Sequence, residues 1–145
     1  MLKHPGTEID FVVDLSYFVA CFDVYDREED LGAYLNQFNP NSEADLRHLF
    51  RERLVSGKLV DQYSVDHKYA IAKTLEQALL NVSTNFEHEL SQATLEQSGM
   101  YLPSTWCINN SRRFFFEAYR CTYDTWKAEL ESEGHLLTPP SELPT

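Results

Sequence analysis

IDFVVDLSYFVACFDVY, residues 9–25, fits two different periods. Ile9, Phe11, Val13, Leu15 and Tyr17 alternate with their neighbours as in a strand, and the β-branched and aromatic content agrees. A strand of that length needs a partner, and no other stretch of the chain offers an obvious one. The segment also runs for about four helical turns without a turn residue. Thr7, with Asp10 three residues on, resembles a helix N-cap with an acid in the first turn. The reading adopted is a deeply buried helix from about Thr7 to Tyr25, with a minor strand element near the N-terminus as the alternative.

The rest of the chain reads as helix with less ambiguity. Acids from Asp26 to Asp30 suit the positive end of a helix dipole, and Leu31, Tyr34, Leu35 and Phe38 then recur at helical spacing. Asn39-Pro40-Asn41 stops that helix, because the residue before a proline avoids the helical region. Ser42 caps the next, whose stripe is Leu46, Leu49, Phe50 and Leu54 and whose end is Gly57. Glu43 and Arg47 stand four apart in the favourable order. From Val65 a long pattern runs through Ile71, Leu75, Leu79, Val82, Phe86 and Leu90 to Gly99. A break is foreseen at 81–84, where Thr84 and Glu87 can form a capping box. Residues 100–110 contain Pro103 and read as a connector. The last helix spans about Ser111 to Glu133, with Phe115, Ala118, Thr122, Trp126 and Leu130 on one face and Gly134 as its C-terminal cap.

The expectation is therefore a mainly α, single-domain irregular bundle of five or six helices over residues 1–134. An extended or mobile tail follows at 135–145, with three prolines and little to bury. A chain of 145 residues with 43% hydrophobic content holds enough core to fold without disulfide or metal. Cys21, Cys107 and Cys121 are odd in number, form no Cys-x-x-Cys and sit among apolar residues. They read as reduced, buried thiols of a cytoplasmic protein. The apolar stretch near the N-terminus is interrupted by Asp14 and Asp23, which argues against a secretory signal.

The chemistry-bearing patterns are thin. Asp45-x-x-His48 occurs once, with Asp where a carboxylate-bridged bundle uses Glu, and Glu87-His88-Glu89 points its side chains about 100° apart on a helix. No metal site and no cofactor is expected, and no catalytic residue is assigned. The five glycines are scattered and form no phosphate-cradling loop. On a helical reading, Asp10, Asp14, Tyr17 and Cys21 share one stripe, which is the best basis for a small helical enzyme with a carboxylate pair.

Charge is the stronger signal. There are 23 acidic against 12 basic residues, a net charge of -11. That excludes the basic footprint of a nucleic-acid binder and docking on an anionic membrane surface. Residues 1–46 hold ten acids and two bases, whereas 47–73 hold six bases and three acids. The densest point is Asp23, Asp26, Glu28, Glu29 and Asp30, flanked by Tyr25 and Tyr34. These seven residues are the candidate partner-binding surface. The leading expectation is an acidic protein that neutralises a basic protein partner, concretely an immunity or antitoxin-type inhibitor of a toxin nuclease. A DNA-mimic inhibitor and a structural subunit of a larger assembly are the remaining alternatives.

Overall fold

The computed structural model describes residues 1–95 and 98–144. Six α-helices are described: α1 Ser16–Val19, α2 Ala33–Leu35, α3 Glu43–Arg53, α4 Val65–Leu80, α5 Phe86–Ala93 and α6 Ser111–Ser132. The fold is mainly helical, and the helices form one compact domain organised around α6. The face foreseen on α6 is buried, but so are Phe114, Phe116, Glu117, Tyr119 and Cys121. Over its first half α6 is thus enclosed on nearly all sides, which marks a central helix rather than an amphipathic surface one.

Two helices flank α6 in opposite directions. Against α3, Glu43 pairs with Arg113 and Arg47 with Glu117. Both rungs advance together along the two chains, so α3 and α6 run parallel. Against α4, Lys68 meets Glu129 at 2.8 Å while Arg112 reaches the Leu79 carbonyl at 3.2 Å, so α4 is antiparallel. Apolar faces close the interfaces: Leu46, Leu49 and Phe50 from α3, and Ile71, Leu75 and Leu79 from α4, are buried. Full burial of each such side chain contributes roughly 1.5–3 kcal/mol.

The caps are those the sequence indicates at α3 and differ at α5. Ser42 accepts from the Asp45 amide. The break after Leu80 is real, but Asn85 rather than Thr84 caps α5, accepting from the His88 amide at 3.0 Å. Thr84 turns back to the Ala78 carbonyl at 2.7 Å. Val82 continued the apolar pattern by coincidence and is exposed.

Residues 7–25 do not form the expected long helix. Only α1 and a 3-10 turn at Ala20–Phe22 are helical, and the strand alternative reduces to a single antiparallel bridge, Lys3 with Asp10. Side chains choose a third solution: Phe11, Leu15, Phe18, Val19, Phe22 and Val24 are buried while Ile9 and Val12 face outward. His67 explains how the segment is held. Its Nε2 lies 2.6 Å from the Lys3 carbonyl, its Nδ1 accepts from the Ser64 amide at 3.2 Å, and its ring meets Phe11 edge-on at 4.8 Å. Residues 1–11 therefore lie as a strap across the start of α4, and a continuous helix would break that docking.

The tail has more to bury than its composition suggests. Gly134, at φ 82°, ends α6, and His135 donates back to the Leu130 carbonyl at 2.9 Å. The chain then runs extended back along α6 toward its N-terminus. The Thr138 amide donates to Glu76 at 2.7 Å, its carbonyl accepts from Tyr119 at 2.6 Å, and Arg112 donates to the Pro144 carbonyl at 3.1 Å. Leu143 is buried.

Two buried carboxylates make testable demands. Glu117, 0% exposed, accepts from Arg47 at 3.2 Å, with Arg120 and Arg113 at 3.7 and 3.9 Å from its other oxygen. Arg47→Ala is expected to lower stability by about 3 kcal/mol, because it leaves a buried carboxylate short of its hydrogen-bonded partner. Adding Glu117→Met removes the stranded charge and is expected to recover most of that loss in chemical denaturation. Burial raises the affinity of Glu76 for a proton, but the Lys73 ammonium at 2.7 Å and the Thr138 amide outweigh it, so its pKa lies below the ordinary 4.5. A depressed folded-state pKa contributes stability above the ordinary value and loses it as pH falls through the folded value. Melting temperature is accordingly expected to fall more steeply below pH 4.5 in the native chain than in Glu76→Gln.

Candidate functional site

The acidic segment is built from a tight local structure. Val24 donates its amide to the Tyr101 carbonyl at 2.8 Å, and Asp23 accepts from the amides of Tyr25 and Tyr101, each at 3.0 Å. Asp26 then takes a positive φ of 59°, a conformation Asp tolerates better than most residues. The chain reverses there and enters a π-helical turn at Glu28–Gly32, closed by the Gly32 amide on the Arg27 carbonyl at 2.9 Å. A short α2 follows, so Glu28, Glu29 and Asp30 lie in the first turn of a brief wide helix, with no side-chain cap, instead of starting the long helix expected through Phe38. Leu31 of the turn and Leu35 of α2 reach the core.

The connector braces this region through short polar side chains. Asn36 accepts from the amide and hydroxyl of Thr105 at 3.1 and 2.6 Å. Asn41 donates to the Cys107 carbonyl at 2.7 Å and accepts from the Asn109 amide at 2.8 Å. Trp106 donates to the Leu35 carbonyl at 3.0 Å and packs on Phe22 with ring centres 5.1 Å apart. Residues 23–41 and 101–109 are thus laced side by side, and the acidic turn rests on a fixed base.

Two hollows open at the surface of this unit. One, of about 410 Å³, is lined by Asp26, Arg27, Glu28, Glu29 and Asp30. The other, of about 320 Å³, is more apolar and lies between Val24, Glu28, Gly32, Asn36, Tyr101, Leu102 and Ser104. Glu28 belongs to both. Tyr25 is 54% exposed and stacks on Tyr101, 42% exposed, with ring centres 5.5 Å apart and planes 17° apart. Asp30 accepts from the Leu31 amide at 2.7 Å and from Arg27 at 3.1 Å, and these donors hold its carboxyl below its usual pKa. Asp26, Glu28 and Glu29 have no ion-pair partner among the described residues and project into solvent.

Of the seven residues singled out by sequence, six share this unit: four acids line the first hollow, and Asp23 and Tyr25 frame Tyr101. Tyr34 lies apart. Its hydroxyl donates to Glu52 of α3 at 2.9 Å, which raises its pKa, and its ring packs on Phe38. Tyr101, Leu102 and Ser104 escaped the sequence reading because they come from a connector about 76 positions away. The one trace they leave is an aromatic–apolar pair directly ahead of Pro103.

The other candidate groups do not converge. Asp10 pairs with Lys3, and Asp14 accepts from the amide and hydroxyl of Ser16 at the start of α1. Residues 10–14 are not helical, so the proposed Asp10–Asp14–Tyr17–Cys21 stripe is not formed. Tyr17 instead meets the Tyr63 hydroxyl at 3.2 Å, and burial pushes its pKa up. His48 and Asp45 sit on α3, where Asp45 accepts from the Asn39 amide. Among the described residues no group of three or more His, Cys, Asp or Glu is placed to hold a metal ion, and no helix is long and apolar enough to cross a membrane. No family model, curated protein or solved structure matches the chain.

The cysteines need one correction. Cys107 is exposed in the connector, where its neighbours Trp106 and Ile108 are the side chains that pack partly against the core. Burial pushes the Cys21 thiol up to about 12 and the Cys121 thiol up to about 11, so neither is a thiolate at neutral pH. In the folded protein one thiol is expected to react promptly with a disulfide reagent at pH 8, and two more only on unfolding. Loss of the fast phase in Cys107→Ser checks the assignment.

Proposed function

We propose that the chain is an acidic binding protein that neutralises a basic protein partner, in the manner of an immunity or antitoxin-type inhibitor of a toxin nuclease. The observation that carries this reading is the juxtaposition of the unpaired acids of the turn with the exposed Tyr25–Tyr101 stack. A nuclease is basic where it grips phosphate, so a carboxylate-lined projection is attracted to that surface from a distance. The stacked tyrosines supply apolar contact that charge alone does not, and a central aromatic anchor contributes on the order of 2 kcal/mol to an interface. The apolar hollow beside Glu28 suits the aliphatic stem of a Lys or Arg whose charged head reaches the Glu28 carboxylate. Tyr101 and Leu102 join the surface under this reading, and Tyr34 leaves it.

Long-range attraction of this kind is screened over about 8 Å at physiological salt. It therefore shows in association rate more than in dissociation rate. The test is the quadruple variant Asp26→Asn, Glu28→Gln, Glu29→Gln, Asp30→Asn, compared with the native chain for capture of basic proteins from the source cell at low salt. The expected result is a basic partner retained by the native chain and lost from the variant, with an association rate that falls as salt rises. Retention of the same partner by both, with the same salt dependence, would place the interface elsewhere and leave the acids with a local role in the turn. Tyr25→Ala is expected to speed dissociation of that partner by about 10-fold or more while leaving the salt slope unchanged.

A further inference from the structure

A second surface, on the opposite logic, lies along the groove between α4 and α6. It is occupied by residues 135–144 of the chain itself. The polar groups that hold this segment are buried, and they address its backbone. Glu76, 2% exposed, accepts the Thr138 amide at 2.7 Å, and Tyr119, 0% exposed, donates to the carbonyl of the same residue at 2.6 Å. Near the far end Arg112 donates to the Pro144 carbonyl at 3.1 Å. Side chains enter at intervals: His135 stacks on Tyr69 with ring centres 4.1 Å apart, Leu137 packs against the core, and Leu143 is buried. Between these anchors Pro139 holds φ -58° and ψ 141°, the polyproline conformation, and Pro140 opens a single 3-10 turn.

This is the layout of a peptide-reading groove. Backbone groups are recognised by fixed donors and acceptors, and apolar side chains at intervals supply selectivity. Proline stiffens the occupant before it docks, so little conformational entropy is lost. Release of the segment costs the contacts that Glu76 and Tyr119 make to the Thr138 amide and carbonyl, while Glu76 keeps the Lys73 ammonium at 2.7 Å, and another extended backbone would restore the lost pair.

We infer that the α4–α6 groove is a binding site for an extended, proline-containing peptide segment, and that residues 135–144 are its resident intramolecular ligand. The ligand class follows from the contacts: a free amide and carbonyl on one residue, prolines directly after it, and an apolar side chain about five positions further on. This inference is independent of the acidic surface and of any partner bound there.

The resident segment competes at the high effective concentration of a tethered ligand, so the test weakens it while keeping the chain whole. Thr138→Pro removes the amide that Glu76 reads and leaves the following prolines in place. The variant is expected to melt about 5–10 °C below the native chain, the loss of one charge-assisted hydrogen bond to a buried acceptor. A synthetic peptide of residues 135–144 is expected to bind the variant with a dissociation constant below about 100 μM and to raise its melting temperature with concentration. The same peptide carrying Thr→Pro at the matching position is expected to do neither. If Thr138→Pro does not give a helical circular dichroism spectrum, Leu143→Ala in the full chain takes its place with the same peptides. Absence of binding and of stabilisation by the native-sequence peptide at about 1 mM, in a variant that is folded and destabilised, overturns the inference. So does equal binding of both peptides.

Discussion

Everything in this molecule accommodates a helix that cannot face water. From Phe114 to Thr122 nearly every side of α6 is buried, and among those side chains is the carboxylate of Glu117. An ionised group enclosed in that way needs opposite charge beside it. Arg47 supplies it from α3, with Arg113 and Arg120 from α6 itself, and Glu43 in turn engages both Arg47 and Arg113. Packing of apolar faces brings α3 against α6, but apolar contact is tolerant of sliding. The ion-paired rungs, Glu43 with Arg113 and Arg47 with Glu117, admit one register and one direction. In that sense the buried charge specifies the arrangement that the core stabilises.

The same constraint explains the uneven charge of the chain. The basic stretches near Arg47 and Arg112 lie far apart in sequence and are brought together because their arginines serve buried carboxylates and helix-end carbonyls. Several of their charges are engaged in this way, Arg47 with Glu117, Lys73 with Glu76 and Arg112 with the Leu79 carbonyl. The acids of residues 26–30 have no such role, apart from Asp30 with Arg27, and remain at the surface. Residues 23–30 hold five acids against one Arg, and the four acids at 26–30 all face solvent. That segment is held still by Asp23, Asn36 and Asn41, which trade hydrogen bonds with residues 101–109. Short polar side chains lose little entropy when fixed, so a surface projection can be rigid without a core of its own.

The strap at 1–11 and the tail at 135–144 show a common principle at the two ends of the bundle. Each is extended, and each is secured where its backbone meets a buried polar side chain on α4: His67 for the Lys3 carbonyl and Glu76 for the Thr138 amide. Helix α4 therefore reads as amphipathic in sequence but carries two buried polar positions whose partners come from non-helical chain. Both would count as defects if α4 packed only against other helices.

Helix content, the positions of α3, α4 and α6, the cap at Ser42, the break after Leu80 and the stop at Gly134 were legible in the sequence, because each depends on neighbours within about one helical turn. The clustering of Asp23, Asp26, Glu28, Glu29 and Asp30 was legible for the same reason. Residues 7–25 were not, since an apolar run with two competing periods is resolved by what it packs against, and Phe11 is buried against His67 of α4 in a segment that is not helical. The tail looked poor in burial because Leu143 is one residue among prolines, and the value of that leucine depends on a groove made by two other helices. The pairing of Tyr25 with Tyr101, the detachment of Tyr34 and the exposure of Cys107 likewise rest on contacts between segments distant in sequence. Local chemistry settled which segments are helical and where the charge lies. Only the tertiary structure decided which surfaces those segments share, because that depends on how apolar faces and buried charges are satisfied together.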